Sequence, residues 1–429
     1  MANKTIHAPI PFTPYQKLAI AILALTQFTV ILDFMIMSPL GDALMKSMEL
    51  TTVQFGIAVS AYALSAGVSG LLTAGFADRY DRKKLLLFFY VGFIIGTFFC
   101  GMTTNYPMLI AARIVTGLFG GVIGSISMAI MADLFALQQR GRVMGFIQMG
   151  FGASQVLGIP IGLYISNYLG WQAPFFMIVA LASIIWFIVF WKLKPINEHL
   201  KYPQERNAFL HLWHTVKHRD YRVGFTATAL MSLGGFMMMP WGSAFSINNL
   251  HITQEQLPIL FMVAGIGSLV VMPVIGKLSD SIDKFTLFAF ASLFLMVVVV
   301  YYTHLTPAPF WIITLVNVLM MIGVMSRMVP SMALTSALPS MQDRGAFMSI
   351  NSSLQQMAGG VAAFIGGLIV IQKDNYSPLE RYDTLGYVIV GISVLCIFMV
   401  YRVSKLVKAK PEAPIVIPEA VAPALDDVI

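Results

Sequence analysis

AGFADRYDRKK, residues 74–84, is a short and strongly charged turn between two long apolar runs. A related turn, GKLSDSIDK, follows at residues 276–284 and again separates two apolar runs. The acids and one base recur at a constant offset of 202 residues: Asp78 with Asp280, Asp81 with Asp283, and Arg82 with Lys284. A charged turn that occurs twice at the same place in an apolar chain indicates a duplicated membrane unit.

The amino-acid composition excludes an ordinary soluble domain. The chain has 429 residues, of which 58% are hydrophobic and 11% charged, whereas soluble domains carry about 25% charged residues. A soluble protein of this length could not bury so much apolar surface, so lipid must be its main solvent. The net charge of +7 would suggest nucleic acid in a soluble protein. Here the bases lie in short loops, and no nucleic-acid partner is predicted.

Neither a cofactor nor a metal centre is predicted. The two cysteines, Cys100 and Cys396, lie inside apolar runs and are interpreted as packing residues. His211, His214 and His218 could share one face of a helix as metal ligands, but no cysteine or nearby acid completes a site. A polar face among lipid headgroups is therefore the preferred interpretation of these histidines.

Twelve apolar runs are long enough to cross a bilayer, which takes about 20 residues. They lie at residues 18–41, 53–76, 85–103, 107–132, 143–169, 173–192, 222–246, 256–279, 285–303, 309–335, 346–371 and 384–402. We predict an all-α integral membrane protein with twelve transmembrane helices in two pseudo-symmetric six-helix bundles. Its parts are an N-terminus (1–17), the first bundle (18–192), a linker (193–221), the second bundle (222–402) and a tail (403–429).

The polar segments outside the bundles carry weaker signals. Residues 1–17 lack the apolar core of a signal peptide, so the first span is expected to remain as an anchor. The linker contains apolar residues at helical spacing and is predicted to form an amphipathic helix on the inner leaflet, with Trp213 at the interface. The tail is rich in proline, alanine and acids and is predicted to be disordered.

The distribution of lysine and arginine predicts the orientation of the chain. With the N-terminus in the cytoplasm, 22 of the 27 basic residues fall in cytoplasmic segments and three fall in outside loops. Positive charge near the ends of spans favours the cytoplasmic side. The sequence therefore predicts a multi-pass protein of the inner (plasma) membrane with both termini in the cytoplasm.

A second repeat supports the duplication. RGRVMGF at residues 140–146 recurs as RGAFMSI at residues 344–350, each time at the start of the fifth span of its half. Two related six-span halves are the layout of alternating-access transporters, which bind their substrate between the halves near the middle of the membrane.

Asp33, Arg113 and Arg327 lie within spans, away from the span ends. A charge at mid-bilayer costs at least ~2.5–3.5 kcal/mol, so each is a functional hypothesis. Asp33 in span 1 and Arg113 in span 4 have similar depths and could meet, either as a proton-coupling pair or as a fixed ion pair between helices. Coupling is preferred, because a carboxylate whose surroundings alternate between wet and dry binds and releases protons. Arg327 has no acid in the spans of its half and could contact substrate or serve a structural role.

Uncharged polar residues are predicted to line a substrate cavity together with Arg327, although such residues could also merely bond across helices. The predicted set is Gln27 in span 1, Gln148 and Gln155 in span 5, Trp241 in span 7, and Asn351 and Gln355 in span 11. Span 4 also carries two pairs of small residues at a spacing that allows close helix contact, Gly117 with Gly121 and Gly120 with Gly124.

These residues resemble the major facilitator superfamily, and the resemblance covers roughly residues 15–403. AGFADRYDRKK is similar to the family's signature loop after span 2, and RIVTG (residues 113–117) resembles a motif of its proton-coupled members. GIPIG (residues 158–162) resembles a degenerate antiporter motif. The chain departs from the family in three ways. Ala74 replaces the first glycine of the loop, an aspartate replaces the later glycine in both copies, and GIPIG lacks the adjacent Gly-Pro.

The resemblance implies a set of gating residues. Asp78 would pair with Arg82 and with Asp133 at the end of span 4, would face the start of span 11, and would latch the outward-open state. The second half has no acid that matches Asp133, so this latch looks one-sided. The remaining residues assigned to gating are Asp81, Asp280, Asp283, Gly158 and Pro160.

The resemblance also implies an activity. Within the superfamily, the chain resembles the twelve-span drug:proton antiporter branch, which includes sugar-efflux-like members. By this resemblance, Asp33 and Arg113 would be the proton-coupling groups of the protein. We therefore expect a monomeric secondary transporter, not an enzyme, whose partners are protons, the lipid bilayer and small amphipathic or sugar-like solutes that it exports. An uptake symporter or uniporter of the same fold is the main alternative. A non-transporting sensor or membrane enzyme is a remote one, because the spans contain no histidine and few groups that could perform chemistry.

Overall fold

The computed structural model describes residues 11–201, 208–340 and 342–409. Helices account for nearly all of these residues, and they run back and forth in two sets of six spans. We call the end of the molecule where the first helix begins and the last helix ends the terminus face, and the other end the opposite face. The chain reverses at each span, so the loop at residues 77–81 lies at the terminus face.

The described residues of the first half, 11–192, form eight α-helices. They are α1 (Pro14–Ile36), α2 (Gly41–Met48), α3 (Thr52–Phe76), α4 (Arg82–Met102), α5 (Tyr106–Leu134), α6 (Leu137–Ala153), α7 (Ile159–Leu169) and α8 (Ala173–Lys192). A π-helical segment, Ser154–Gly158, joins α6 to α7 and makes them one span.

The linker and the second half follow. They contain α9 (Ala208–Lys217), α10 (Arg219–Phe236), α11 (Gly242–Asn248), α12 (Leu257–Ser281), α13 (Lys284–Thr303), α14 (Phe310–Ala337), α15 (Arg344–Ile369) and α16 (Tyr382–Lys408). The predicted disorder from residue 403 is wrong for the first part of the tail, because α16 continues to Lys408. Residues 410–429 lie outside the described part of the chain.

Helices occupy all twelve predicted spans in the predicted order, and two of them are interrupted. The first was expected to run to residue 41, but α1 ends at Ile36 and the chain starts the separate helix α2 at Gly41. The seventh breaks at Met239–Trp241 between α10 and α11, at the GGFMMMPWG sequence. The ring of Pro240 removes a backbone donor, which is a common cause of such a break.

Eleven spans of the described chain are long and apolar enough to cross a membrane. The remaining one, α15, has a lower mean hydropathy because polar residues such as Asn351 and Gln355 occupy it. A polar helix of this length is stable in a bilayer only when its polar groups face other helices or water. Its position agrees with this, because α15 packs along α3 in the most extensive helix contact of the molecule.

Side-chain caps fix where several helices start at the two faces. The hydroxyl of Thr13 accepts a hydrogen bond from the backbone of Gln16 at the start of α1, and Thr51 does the same for Gln54 at the start of α3. Asp81 and Asp283 occupy the equivalent cap positions of α4 and α13. The duplicated charged turn therefore starts the following helix in the same way in both halves.

Candidate functional site

Asp33 and Arg113 form a buried ion pair inside the first bundle. The Arg113 Nη1 atom donates to the Oδ2 atom of Asp33 at 3.0 Å, and both side chains have no exposed surface. Thr97 of α4 donates its hydroxyl to the other carboxylate oxygen at 3.1 Å. Three helices, α1, α4 and α5, therefore contribute to the environment of the carboxylate. Water cannot reach these buried charges, so the protein partners alone stabilise them.

Arg113 is held by an aromatic ring as well as by the carboxylate. Its guanidinium carbon lies 4.4 Å from the centre of the Tyr62 ring, a cation–π contact from α3. Within the described structure, the Nε and Nη2 atoms of Arg113 have no hydrogen-bond partner. The arginine thus has spare donors next to the pair that the sequence assigned to proton coupling.

A small cavity of about 10 Å³, room for about one water molecule, lies between the two bundles beside this pair. Residues from α1 and α3 line one side, and residues from α10, α15 and the break in span 7 line the other. The lining consists of Phe34, Ser38, Val59, Ala63, Phe236, Met239, Pro240, Gly359 and Ala363. Phe34 follows Asp33 directly in the sequence, so the cavity and the ion pair lie on neighbouring faces of α1.

A polar cluster that the sequence did not predict joins the two bundles at the opposite face. We call Asp42, Lys46, Ser243 and Asn248 the opposite-face latch. Asp42 is 1% exposed and accepts hydrogen bonds from Lys46 at 2.9 Å and from Asn248 at 2.6 Å. Lys46 also donates to the Asn248 side chain at 3.1 Å.

Backbone contacts extend the opposite-face latch. The hydroxyl of Ser243 donates to the carbonyl of Ser38 at 2.9 Å, and Asn375 donates to the carbonyl of Met45 at 2.8 Å. Both of these bonds join α2 or its flank to the second half of the chain, as do the bonds of Asn248 with Asp42 and Lys46. The sequence signal was weak, because Asp42 and Lys46 stand four residues apart like any exposed helix pair, and only the partner α11 makes the aspartate buried.

Removing the latch carboxylate is expected to open the opposite face. In Asp42→Asn, the partly buried Lys46 loses its buried counter-charge, so the closed arrangement should weaken by at least about 1.4 kcal/mol, a tenfold change in the population ratio. Spin labels at Glu49→Cys and Gln254→Cys, both exposed positions, would report a larger population of long distances. Glu380→Gln is the matched control, because it breaks an exposed pair with Lys373 on the same face. Unchanged distances in Asp42→Asn would contradict the role of the latch.

The predicted cavity residues have different surroundings. Gln155 is buried and accepts a hydrogen bond from Ser268 of α12 at 3.3 Å, a contact between the bundles. Asn351 accepts from Thr228 at 2.7 Å within the second bundle. Gln27 and Gln355 are partly exposed. Their role in substrate contact stays a prediction, and the side chain of Gln148 lies outside the described part of the structure.

Trp241 has no surface to offer a solute in this conformation. Its side chain is completely buried, and its ring lies 5.6 Å from that of Phe55. It fills the closed seam between the bundles next to Gly366 of α15. A cavity role for Trp241 stays a prediction that would require the opposite face to open.

Arg327 is buried among helices of the second bundle. Its Nη1 atom donates to Ser393 of α16 at 3.3 Å, and its guanidinium lies 5.7 Å from the ring centre of Phe288 in α13. Within the described structure, its Nε and Nη2 atoms have no partner. These contacts point away from the interface between the bundles, so they give no support to the predicted substrate contact.

Near the charged turn, two residues of the predicted gating set, Arg82 and Asp133, are in contact. Arg82 donates to Asp133 of α5 at 3.2 Å and to the carbonyl of Ala77 at 2.6 Å. In the second half, Lys408 lies 2.6 Å from Asp283, and its hydrogen bond lowers the pKa of this aspartate. The side chains of Asp78 and Asp280 lie outside the described part of the structure, so the gating role of the turns stays a prediction.

Gly158 and Pro160 lie at the junction of the π-helical segment with α7. A side chain at Gly158 would meet Leu32 of α1 at 2.6 Å, and Pro160 is buried. π-helical segments are often found at functional sites. The observed role of these residues is close packing against α1, and a gating role stays a prediction.

The linker helix α9 lies against the second bundle at the terminus face. His211 contacts the Asp343 carboxylate at 3.0 Å, and Tyr221 and Ser340 donate to it at 2.9 and 2.8 Å. The His211 contact and the two hydroxyl donors lower the pKa of Asp343 to about 2. The stabilisation from this depressed pKa is therefore present above about pH 4 and is lost as pH falls through 2.

The linker helix was predicted to lie on the membrane surface, but only one of its faces is exposed. Leu212 packs against the apolar cluster at the start of α15, whereas Trp213 is 56% exposed. Two of the linker histidines have separate contacts, since His211 contacts Asp343 and His218 stacks on the ring of Tyr221. The helix thus has one face on protein and one face free for lipid.

Comparison with known proteins shows the family. The family model described as Major Facilitator Superfamily matches residues 23–363. That is more than half of the chain, and the protein belongs to this superfamily. It is a multi-pass membrane protein and a secondary transporter, not an enzyme.

Individual relatives are distant. The uncharacterized MFS-type transporter YbcL of Bacillus subtilis (strain 168) is 26% identical over 381 residues, which cover 88% of this chain and 95% of YbcL. A probable sugar efflux transporter of Helicobacter pylori (strain J99 / ATCC 700824) is 24% identical over 259 residues, 60% of this chain and 64% of that protein. At this identity and coverage, the match does not assign the substrate of that relative to this protein.

A solved structure has the same fold. The crystal structure of a bacterial homologue of the human lysosomal transporter Spinster, inward-facing and unoccupied, superimposes with a TM-score of 0.76. It covers 94% of this chain and 100% of its own chain at 15% identity. At this identity the likeness shows the fold alone.

Proposed function

We propose that the protein is a proton-coupled exporter of small amphipathic or sugar-like solutes. The observation that carries the proposal is the buried pair of Asp33 and Arg113, whose Nη1 and Oδ2 atoms are 3.0 Å apart. It lies beside a cavity between the bundles, where alternating-access transporters bind substrate. A carboxylate at this place can exchange its proton only when the protein changes conformation, which is the requirement for coupling.

The lining of the cavity supports the substrate class. The lining residues are mainly aromatic, aliphatic and methionine side chains with one serine, and uncharged polar side chains such as Gln155 lie at the bundle interface. The cavity is too small for a solute in this conformation, and when the bundles separate, a solute with an apolar part and hydrogen-bonding groups would suit such a lining. The name of the Helicobacter relative supports export of sugar-like compounds.

Orientation and assembly complete the proposal. We infer that the terminus face lies in the cytoplasm of an inner (plasma) membrane, because 22 basic residues lie on that side and three on the other. The opposite-face latch would then close the external gate, and the Arg82–Asp133 pair would belong to the internal one. The protein would work as a monomer, since each chain carries both bundles.

Transport by reconstituted protein tests the coupling. Purified protein is first screened for solutes that raise its melting temperature, and one stabilising solute is then followed in proteoliposomes under an imposed pH gradient of one unit. Wild type is expected to concentrate the solute up to about tenfold against the proton flow, because one pH unit supplies 1.4 kcal/mol. Asp33→Asn should lose this accumulation while still binding the solute.

The control and the contrary outcomes are specific. Asp374→Asn, an exposed acid on the opposite face, should leave accumulation unchanged. Undiminished accumulation in Asp33→Asn would reject the coupling role and leave Asp33–Arg113 as a fixed ion pair. Solute movement in the same direction as protons would replace the exporter by an uptake symporter, and equilibration that ignores the pH gradient would make the protein a uniporter.

A further inference from the structure

Two aromatic rings separate the Asp33–Arg113 pair from the cavity. The ring centre of Phe34 lies 5.4 Å from that of Tyr62, with 31° between the ring planes. The Tyr62 ring in turn covers the guanidinium of Arg113, whose carbon lies 4.4 Å from the ring centre. The order from the cavity inward is therefore Phe34, Tyr62, Arg113 and then Asp33.

The rings of Tyr62 and Phe34 differ in burial, as expected if they separate the pair from the water of the cavity. Tyr62 is 3% exposed and Arg113 and Asp33 have no exposed surface, whereas Phe34 is partly exposed and lines the cavity. Phe34 also touches Phe236 of the second bundle, with ring centres 5.8 Å apart. Phe34 is thus in contact with the element that moves away when the bundles separate.

The other sides of the pair are closed by the interior of the first bundle. Thr97 and Cys100 of α4 approach it from one side, and both are completely buried. Arg113 faces Asp33 from α5, and Tyr62 faces it from α3, so these two and Cys100 are the titratable groups around the carboxylate. The aromatic side leads from the pair to the cavity, because Phe34 lines that cavity.

We propose that Tyr62 and Phe34 are positioning residues that control the passage of a proton between Asp33 and the water of the inter-bundle cavity. With the two rings in contact, Tyr62 holds Arg113 against Asp33 and excludes water. When the second bundle withdraws Phe236, Phe34 and Tyr62 loosen, and a cavity water transfers a proton to the carboxylate or accepts one from it. This inference rests on the proposed function, since it describes how the proposed coupling site is opened.

A proton-leak assay tests the inference without any solute. Proteoliposomes containing a trapped pH dye receive a pH step, and the decay of the gradient is followed in wild type, Tyr62→Leu, Phe34→Leu and Tyr62→Phe. Loss of the cation–π contact should raise the leak in Tyr62→Leu by about tenfold, and Phe34→Leu should also leak. Tyr62→Phe keeps the ring face and should behave as wild type. Folding of each variant is checked by its elution profile and melting curve.

The route of the leak is tested with double variants. Asp33→Asn combined with Tyr62→Leu, or with Phe34→Leu, should return the leak to the wild-type level, because the passage ends at Asp33. A leak that persists in these variants, or the absence of a leak in folded Tyr62→Leu or Phe34→Leu, overturns the inference. Failure of the proposed function is distinct from this, since it would appear as missing proton-driven accumulation in wild type while the Asp33-dependent leak remained.

Discussion

Arg113→Met is expected to destabilise the protein by about 3–5 kcal/mol, because it leaves the Asp33 charge buried without its partner. Both side chains have no exposed surface, so water cannot replace the lost guanidinium. The double variant Asp33→Asn/Arg113→Met should recover much of the loss, since no charge then remains in the site. Unfolding of the purified proteins in a denaturing detergent, followed by circular dichroism, gives the four corners of the cycle.

The same cycle has an internal check in its pH dependence. A protonated carboxyl carries no charge, so the loss in Arg113→Met should be smaller at pH 5 than at pH 8, and the double variant should show no such difference. Lys373→Met is the matched control, because it breaks an exposed pair with Glu380 and should have little effect. A double variant no more stable than Arg113→Met would mean that the cost comes from packing and not from charge.

Gly121→Ala is expected to destabilise the contact between α3 and α5 by about 1–3 kcal/mol. The added methyl group would overlap the carbonyl oxygen of Ala66 and lie 2.7 Å from its Cα atom. Backbone cannot rotate away as a side chain can, so the two helices must separate. Since alanine is otherwise favoured over glycine in a helix by about 0.8–1 kcal/mol, the observed loss would come from the contact alone.

Gly124→Ala on the same helix is the matched control. Its methyl group would meet nothing closer than the side chain of Gln27 at 3.7 Å, so this variant should be as stable as wild type or slightly more stable. Melting temperatures of the two variants in detergent measure the difference. Equal behaviour of Gly121→Ala and Gly124→Ala would show that the close contact between α3 and α5 can relax.

The site was predicted from the sequence where single charges were decisive. Asp33 and Arg113 stand out because a charge in a span is rare and costly, and their similar depth correctly suggested that they could meet. The same argument did not predict which helices Arg327 contacts, because the depth of a residue does not show which face of its helix it occupies. Its contacts with Ser393 and Phe288 come from the rotation of α14 among its neighbours.

The opposite-face latch and the contacts of Phe34 and Tyr62 could not be predicted from the sequence for a similar reason. Asp42 and Asn248 are 206 positions apart, and nothing in either neighbourhood indicates that the other exists. Phe34 and Tyr62 are ordinary apolar residues of membrane helices until Arg113 is placed against one of them and the cavity against the other. Interactions between distant segments depend on helix rotation and register, which hydropathy does not encode.

The sequence by itself determined that this chain lies in a membrane, that it consists of two related sets of six spans, and which charges lie within them. These features follow from apolar length and from the repeated turn AGFADRYDRKK and GKLSDSIDK, because each is a local property of the chain. Only the tertiary structure decided which buried charges are paired, which glycines are in close contact, and which residues close the opposite face. Those depend on how helices far apart in sequence turn toward one another, and a favourable packing of all of them together selects one arrangement.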